Sequence, residues 1–500
     1  MAENGGVYCG TIGDGCGRVL DCGMTCPDSG VCGANDLPNV CPGTGSGCTN
    51  LQCQVRTDCP NGTTTSISGF VYDPAGVNPI YNALVYVPNA ALDPVPTGVS
   101  CDQCGATASG QPIATALTDE TGHFTLTGVP SGANIPLVMQ VGKWRRQVTI
   151  PGVTDCIDNP LSDPQLTRLP RSQDEGNMPQ IAGVTGMRDS LECLLRRIGI
   201  ADSEFTTDAG SGRVHLYYGG DLRGPTGSGA GVSSFDASLN NGAEFSSAST
   251  LWASAAKMVT YDIQLYGCEG GEYAATKAPY RTNFLSYVNG GGRAFLSHYH
   301  YYWLRSDSEL TGTAEYIGSA PDLPQTGITA YITTTFPKGA ALADWLVNLG
   351  VTPRGELEIL EGQHSVAGVN APTQEWIHVP TNPNDPDERR STQYMSFNTP
   401  VTAPEESQCG RVVLTDLHVA AGAETAGEMP VTAPVRGREP AQATAATFPS
   451  NCSTEALTPQ GKALEFLFFD LSSCIQPPDE VPQPPPPPEI PPTDPPPATT

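Results

Sequence analysis

Three short stretches carry residues able to do chemistry at points where an apolar run turns polar: Gly267-Cys268-Glu269-Gly270, Ser297-His298-Tyr299-His300 and Thr415-Asp416-Leu417-His418. Imidazoles move protons near neutral pH and ligate transition metals, and carboxylates orient them or share the metal. At a strand's period of two, His298 and His300 face one side, as do Asp416 and His418. If the two strands are neighbours, His298, His418 and Asp416 form a candidate acid–base site, and His298, His300 and His418 a candidate metal set. Glu269 would assist, and His300, Tyr299 and Trp303 would bind a polar ligand, the aromatics covering a sugar face. Against each stands a plainer alternative: a histidine hydrogen-bonded for structure, and aromatics packed into a core.

Such residues need a scaffold, and the chain from 179 to 475 reads as α/β. The runs "PQIAGVTG", "RVHLYYGG", "YDIQLYGCEGG" and "GRAFLSHYHYYW" are strands. They alternate with the helical patterns "RDSLECLLRRIGI", "TLWASAAKMVTYD" and "APYRTNFLSYVNGGG". That alternation predicts parallel strands joined by helical crossovers, a flavodoxin-like, mostly parallel sheet. "ITAYITTTF", "LADWLVNLGV", "TQYMSFNTPV", "GRVVLTDLHV" and "GKALEFLFFDLSSC" add further strands and two helices. In an open parallel sheet, ligands sit beyond the carboxyl ends of the strands, where the three stretches fall. Residues 219 to 248, rich in Gly, Ser and Ala, read as an inserted loop; its "GSGAG" lacks the Lys-Ser/Thr of a phosphate loop.

Ahead of this region the grammar differs. Residues 63 to 156 show period-two alternation, as in "SISGFVYD", "NALVYVPN" and "HFTLTGVP", broken by Gly, Pro and Asp turns, which predicts an all-β sandwich. Residues 157 to 178 read as a linker, and 476 to 500 as a disordered, extended proline-rich tail. Residues 1 to 62 hold nine of the 17 cysteines and few apolar side chains, so a small disulfide-rich module is expected there.

Bulk properties narrow the function. The chain has 500 residues, a formal net charge of −27 and only 15% charged residues, while glycine and proline together make up a fifth of it. The length requires several domains, and the charge excludes nucleic acid as a partner. No apolar run is long enough for a transmembrane helix. The cysteine usage predicts an extracellular or cell-surface location; Met1-Ala2-Glu3-Asn4 does not open an export signal, which is expected to have been removed or to lie upstream. No cofactor is specified.

Two resemblances add to this. Gly69, Val71, Asp73, Ala83, Val85, Thr118, Asp119, Gly122, Phe124, Leu126, Pro130 and Gly132, with "TDETGHFTLTGVPSG", resemble the carboxypeptidase regulatory-like domain, a transthyretin-like β-sandwich that is usually non-catalytic. "LSYVNGGGRAFLSHYHYYW" and "CGRVVLTDLHV" resemble the hallmark strands of ThuA-like proteins, a branch of the class I glutamine amidotransferase-like superfamily, with His298 and His418 at the strand ends. True amidotransferases place a cysteine nucleophile where this chain has Ser297-His298, and Leu296 and His298 deny Ser297 the glycine flanks of a nucleophile elbow. With the Gly/Cys-rich start, whose "CGTIGDGCGRVLDCG" resembles modules found near the start of large exported bacterial surface proteins, the reading is an exported bacterial surface protein with a binding or structural role toward an extracellular, carbohydrate-like ligand. The alternative is a hydrolase or isomerase working on a polar substrate through the His/Asp site. A third reading, redox chemistry at Cys101 and Cys104, competes with a structural staple shared with Cys156. Strand and helix directions predict disulfides Cys409–Cys474 and Cys268–Cys452, with Cys193 left as the odd thiol.

Overall fold

The structure, a computed structural model, describes residues 48–220, 231–318, 320–419 and 447–485, together with the backbone of two short paired strands, Thr11–Gly13 and Val19–Asp21. Most of the cysteine-rich module, the "GSGAG" loop apart from Gly231 and the tail beyond 485 lie outside the described residues. What is described is a β-rich, multidomain fold held together by disulfides. Among the described residues no helix is long and apolar enough to cross a membrane.

The alternating run near the start folds into a sandwich-like pair of sheets. One has four strands in the order Pro112–Leu117, Leu84–Pro88, Gly132–Val141, Trp144–Val153; the other has three, His123–Thr127, Ser66–Phe70, Asp158–Leu161. Ile67, Val85, Phe124, Leu126 and Leu137, the apolar members of the alternation, are buried in its core.

The second unit is built on an 11-stranded mixed sheet. Its parallel part runs Phe205–Thr206, Val214–Tyr218, Ile181–Thr185, Ile263–Tyr266, Arg293–Ser297, Gly410–Thr415. The chain enters at Ile181–Thr185, adds Val214–Tyr218 on one side, then returns to add Ile263–Tyr266 and its successors on the other. The strand order therefore reverses between Thr185 and Tyr266. Beyond Gly410–Thr415 the strands Ser391–Thr399, Gln374–Val379, Ile328–Ile332 and Glu356–Ile359 are antiparallel, which strand and helix alternation alone did not distinguish.

Helix Pro459–Ser472 binds the two units together. It is buried on nearly every side, as "GKALEFLFFDLSS" requires of a helix apolar all round. It packs on the strands Arg293–Ser297 and Gly410–Thr415, while Phe466 stacks on Tyr81 and Phe468 and Phe469 meet Trp144 of the sandwich. Gly142, in the left-handed conformation at a hairpin tip, lies so close to the carbonyl of Ser472 that any side chain would collide with it. A buried ion pair spans the same seam, Lys143 with Asp262 at 2.5 Å, while within the mixed-sheet unit Asp470 of the helix meets Lys338 at 2.6 Å and Arg411 at 3.0 Å.

The disulfides depart from expectation. Cys409 and Cys474 do not bond to each other; Cys101 pairs with Cys409 and Cys104 with Cys474. The sandwich's 93–112 insert runs between them, exchanging backbone hydrogen bonds with Ile475: Cys104 N–H to the Ile475 carbonyl at 2.9 Å, Ile475 N–H to the Asp102 carbonyl at 2.7 Å. This removes the dithiol that a redox reading of Cys101 and Cys104 needs. Cys156 pairs with Cys59. Cys452 bonds to Cys193 rather than to Cys268, because Asn451 donates to Glu192 Oε1 at 2.9 Å and sets that loop on helix Leu191–Arg197. Cys268 is the free thiol among the described cysteines.

Replacing both Cys101 and Cys409 with serine, while Cys104–Cys474 still joins the same segments, is expected to cost about 2–4 kcal/mol in denaturant unfolding. Burial pushes the Glu192 carboxyl up to about 7 from its ordinary 4.5. The folded chain then holds this proton more tightly than the unfolded chain, so the stability the group contributes is complete below pH 4.5 and is lost as pH rises through 7. Glu192→Gln is therefore expected to gain stability over the parent as pH climbs across that window; a difference constant with pH would contradict it.

Candidate functional site

Strand Arg293–Ser297 pairs in parallel with Gly410–Thr415, Ser297 opposite Thr415, and on its other side with Ile263–Tyr266, Leu296 opposite Tyr266. Cys268, His298 and His418 thus leave the sheet at one edge from three consecutive strands. Cys268 also lies where the strand order reverses. Asp189, from the loop after the first strand, ties the edge together: Ser297 donates to its Oδ2 at 2.6 Å, and the Val419 N–H to its Oδ1 at 2.8 Å.

The strands end sooner than the apolar runs suggest. Arg293–Ser297 gives way to a 3-10 turn, His298–His300, and then to helix Tyr301–Arg305, while the last parallel strand stops at Thr415. His298 makes the turn with φ of +38°, a left-handed conformation that carries strain for a residue with a side chain. Period two therefore fails at both histidine positions, and the predicted sets break apart.

His298 and His418 do come together, their ring centroids 6.0 Å apart, and the third member is Cys268 instead of His300. Donor atoms of the three residues all lie within 4.8 Å of one another, with Cys268 Sγ 3.6 Å from His298 Nδ1. All three are sealed from solvent, at 0%, 4% and 5% exposure for Cys268, His298 and His418. Burial and the neighbouring His418 hold His298 well below the usual imidazole range, and burial with the nearby Arg188 cation pushes His418 down to about 4. Burial pushes the Cys268 thiol up to about 12, although the N–H groups of Gly270 and Tyr299 bear on its sulfur. At neutral pH the cluster is thus two uncharged imidazoles and an uncharged thiol. His418 Nε2 is buried without a hydrogen-bond partner among the described residues.

The other predicted residues are elsewhere. The His300 ring turns back under the sheet edge, where Nε2 lies 3.1 Å from the Gly267 carbonyl and Trp303 Nε1–H donates to Nδ1 at 3.2 Å. Those two bonds make Nε2 the protonated nitrogen and leave Nδ1 no lone pair for a metal. Trp303 packs against Trp252 and Phe284 in the core, so it covers no ligand. Tyr299 is half-buried beside His298. Asp416 faces Ser365, accepting its N–H at 2.6 Å and its hydroxyl at 2.8 Å, which takes it out of any acid–base pair with His418. Glu269 is fully buried, paired with Lys277 at 2.7 Å and accepting the Gly220 N–H at 2.8 Å; it clamps the loops together. Asp189, Arg188, Lys277 and Ser365 went unremarked in the sequence. For the first two a signal existed, since "GMRDS" is another apolar-to-polar strand end.

No known protein family and no curated protein matches the chain. Among solved structures, a C-terminal interface mutant of a type II cohesin-X-dockerin complex from Acetivibrio cellulolyticus is 14% identical over 30% of this chain and 79% of its own, with a TM-score of 0.14. The N-terminal interface mutant of that complex is 16% identical over 29% and 78%, also with a TM-score of 0.14. A 9R-lipoxygenase from Cyanothece PCC8801 is 15% identical over 21% and 17%, with a TM-score of 0.12. Scores this low carry no argument about fold or function.

Lys277→Met would leave the Glu269 carboxylate buried and unpaired. It is expected to destabilise the chain by about 3–5 kcal/mol in denaturant unfolding, with Lys277→Met/Glu269→Leu recovering most of the loss.

Proposed function

We propose that the chain is an exported cell-surface protein with a binding or structural role, whose mixed-sheet unit is a flavodoxin-like, amidotransferase-like domain without a working nucleophile. One observation carries this reading: the strained strand-to-helix turn, where such a fold presents its nucleophile, holds His298. The nearest thiol, Cys268, is on the neighbouring strand end, buried and protonated at neutral pH. Ser297 is occupied by Asp189 without an imidazole base in hydrogen-bond contact. The strand order of the parallel part, reversing between the first and third strands, supports the fold assignment. Disulfides spanning hundreds of residues support an oxidising, extracellular setting.

A binding role has a place in the molecule. A cleft of about 330 Å³ opens between the sandwich and the segment leading into the proline-rich tail, lined by Leu84, Asp93, Pro96, Leu117, Arg145 and Pro482 among others. It mixes apolar surface with charges of both signs, which suits a polar extracellular ligand such as a carbohydrate or peptide. The hydrolase or isomerase alternative draws on the convergence of His298 and His418, but it lacks the carboxylate it was to use, since Asp416 faces Ser365.

Covalent labelling separates the two. The native full chain, exposed to alkylating and serine-directed probes, is expected to remain unlabelled at Cys268 until denaturant is added and at Ser297 throughout. Rapid native labelling of either residue would establish an active nucleophile and overturn the proposal.

A further inference from the structure

Cys268, His298 and His418 are more than a packing contact between polar side chains. We infer that they form a binding site for one borderline-soft divalent metal ion, zinc or a first-row neighbour, with a thiolate and two imidazoles as ligands. This goes beyond the binding or structural role proposed above and does not depend on it.

The donor set is the first argument. Sulfur and imidazole nitrogen are the ligands such ions prefer, and the three side chains supply one of the first and two of the second. Ligands about 2.0–2.3 Å from a tetrahedral ion lie roughly 3.3–3.8 Å from one another. The Cys268 Sγ to His298 Nδ1 distance of 3.6 Å already falls in that range, and the 4.8 Å limit on the remaining separations leaves only a small contraction.

Burial supplies the second argument. His418 is 5% exposed and its Nε2 has no hydrogen-bond partner among the described residues, a condition that buried polar atoms rarely tolerate without a ligand. The third argument is positional. His298 adopts its strained backbone while its ring faces Cys268, and Asp189 bridges the segments that carry His298 and His418 by holding Ser297 and Val419. These restraints fix the spacing of the donors before any ion arrives, as a second shell does in a metal site. Finally, in a chain whose other described cysteines are bridged, Cys268 alone is withheld from oxidation. When the ion enters, the thiol S–H bond breaks, its proton goes to solvent, and sulfur donates its electron pair to the metal. The Gly270 and Tyr299 N–H groups then support the thiolate.

The test uses the full chain without an affinity tag, its disulfides verified by non-reducing peptide mapping, produced in zinc-supplemented medium and purified without chelators. Elemental analysis is expected to find one zinc per chain. Cys268→Ser and His418→Gln should each lower the content by about tenfold or more. His123→Gln, on the sandwich, should not. Cobalt-grown and copper-grown parent protein distinguish the ions and do not rely on the variants folding: thiolate-to-metal charge-transfer absorption is expected with whichever ion the site accepts. A parent chain with correct disulfides, no bound metal and no charge-transfer band with either ion would overturn the inference. So would full metal retention in both ligand variants.

Discussion

The parallel pairing of Arg293–Ser297 with Gly410–Thr415 is the constraint on which the rest of the molecule depends. More than a hundred residues separate these strands in the chain, yet they lie side by side at the centre of the sheet. Their register sets Ser297 beside Thr415, so the segments leaving them emerge together. A slip of one residue would exchange the faces of every side chain on a strand buried on both sides, and the register is correspondingly well determined. From this one pairing follow the approach of His298 to His418, the reach of Asp189 to both segments, and the floor on which helix Pro459–Ser472 packs.

That helix explains why the two units act as one object. A surface helix shows an apolar stripe; this one is apolar around nearly its whole circumference because it has sheet on one side and sandwich on the other. Of the acidic groups it carries inward, Asp470 is met by Lys338 and Arg411, and Glu465 accepts from Asn78 at 2.6 Å. Burial raises Glu465 and its neighbour Asp73 above the carboxylate range, consistent with a carboxyl pair that shares a proton at the seam. Two disulfides from the sandwich's insert then close the same seam covalently. An interface so densely tied behaves as an extension of the core, unlike a hinge between mobile domains.

The sheet edge shows how burial decides what a cluster of side chains can do. A histidine occupies the left-handed turn, and the surrounding side chains exclude water. Burial, helped at His418 by the Arg188 cation, leaves both imidazoles without a proton and the thiol with its own. Such a cluster is poorly suited to general acid–base work at neutral pH and well suited to donating lone pairs.

Composition and pattern alone determined a good deal: several domains, an alternating stretch that forms the sandwich, the parallel strands from "IAGVT" to "GRVVLT", and the edge at which polar residues gather. These are local properties, carried by periods of two and 3.6 residues and by turn chemistry. Tertiary structure alone decided the antiparallel half of the sheet, the disulfide partners, and the replacement of His300 by Cys268. Strand termination is set by neighbours, not by the apolar run itself: at Ser297 the chain turns left-handed at once, rotating His300 toward Gly267 and Trp303. Disulfide partners likewise depend on which loop crosses which edge, and the insert carrying Cys101 and Cys104 crosses between Cys409 and Cys474 only because its backbone bonds to Ile475. Such long-range choices arise from packing between distant segments, for which a single chain of letters carries no period to read.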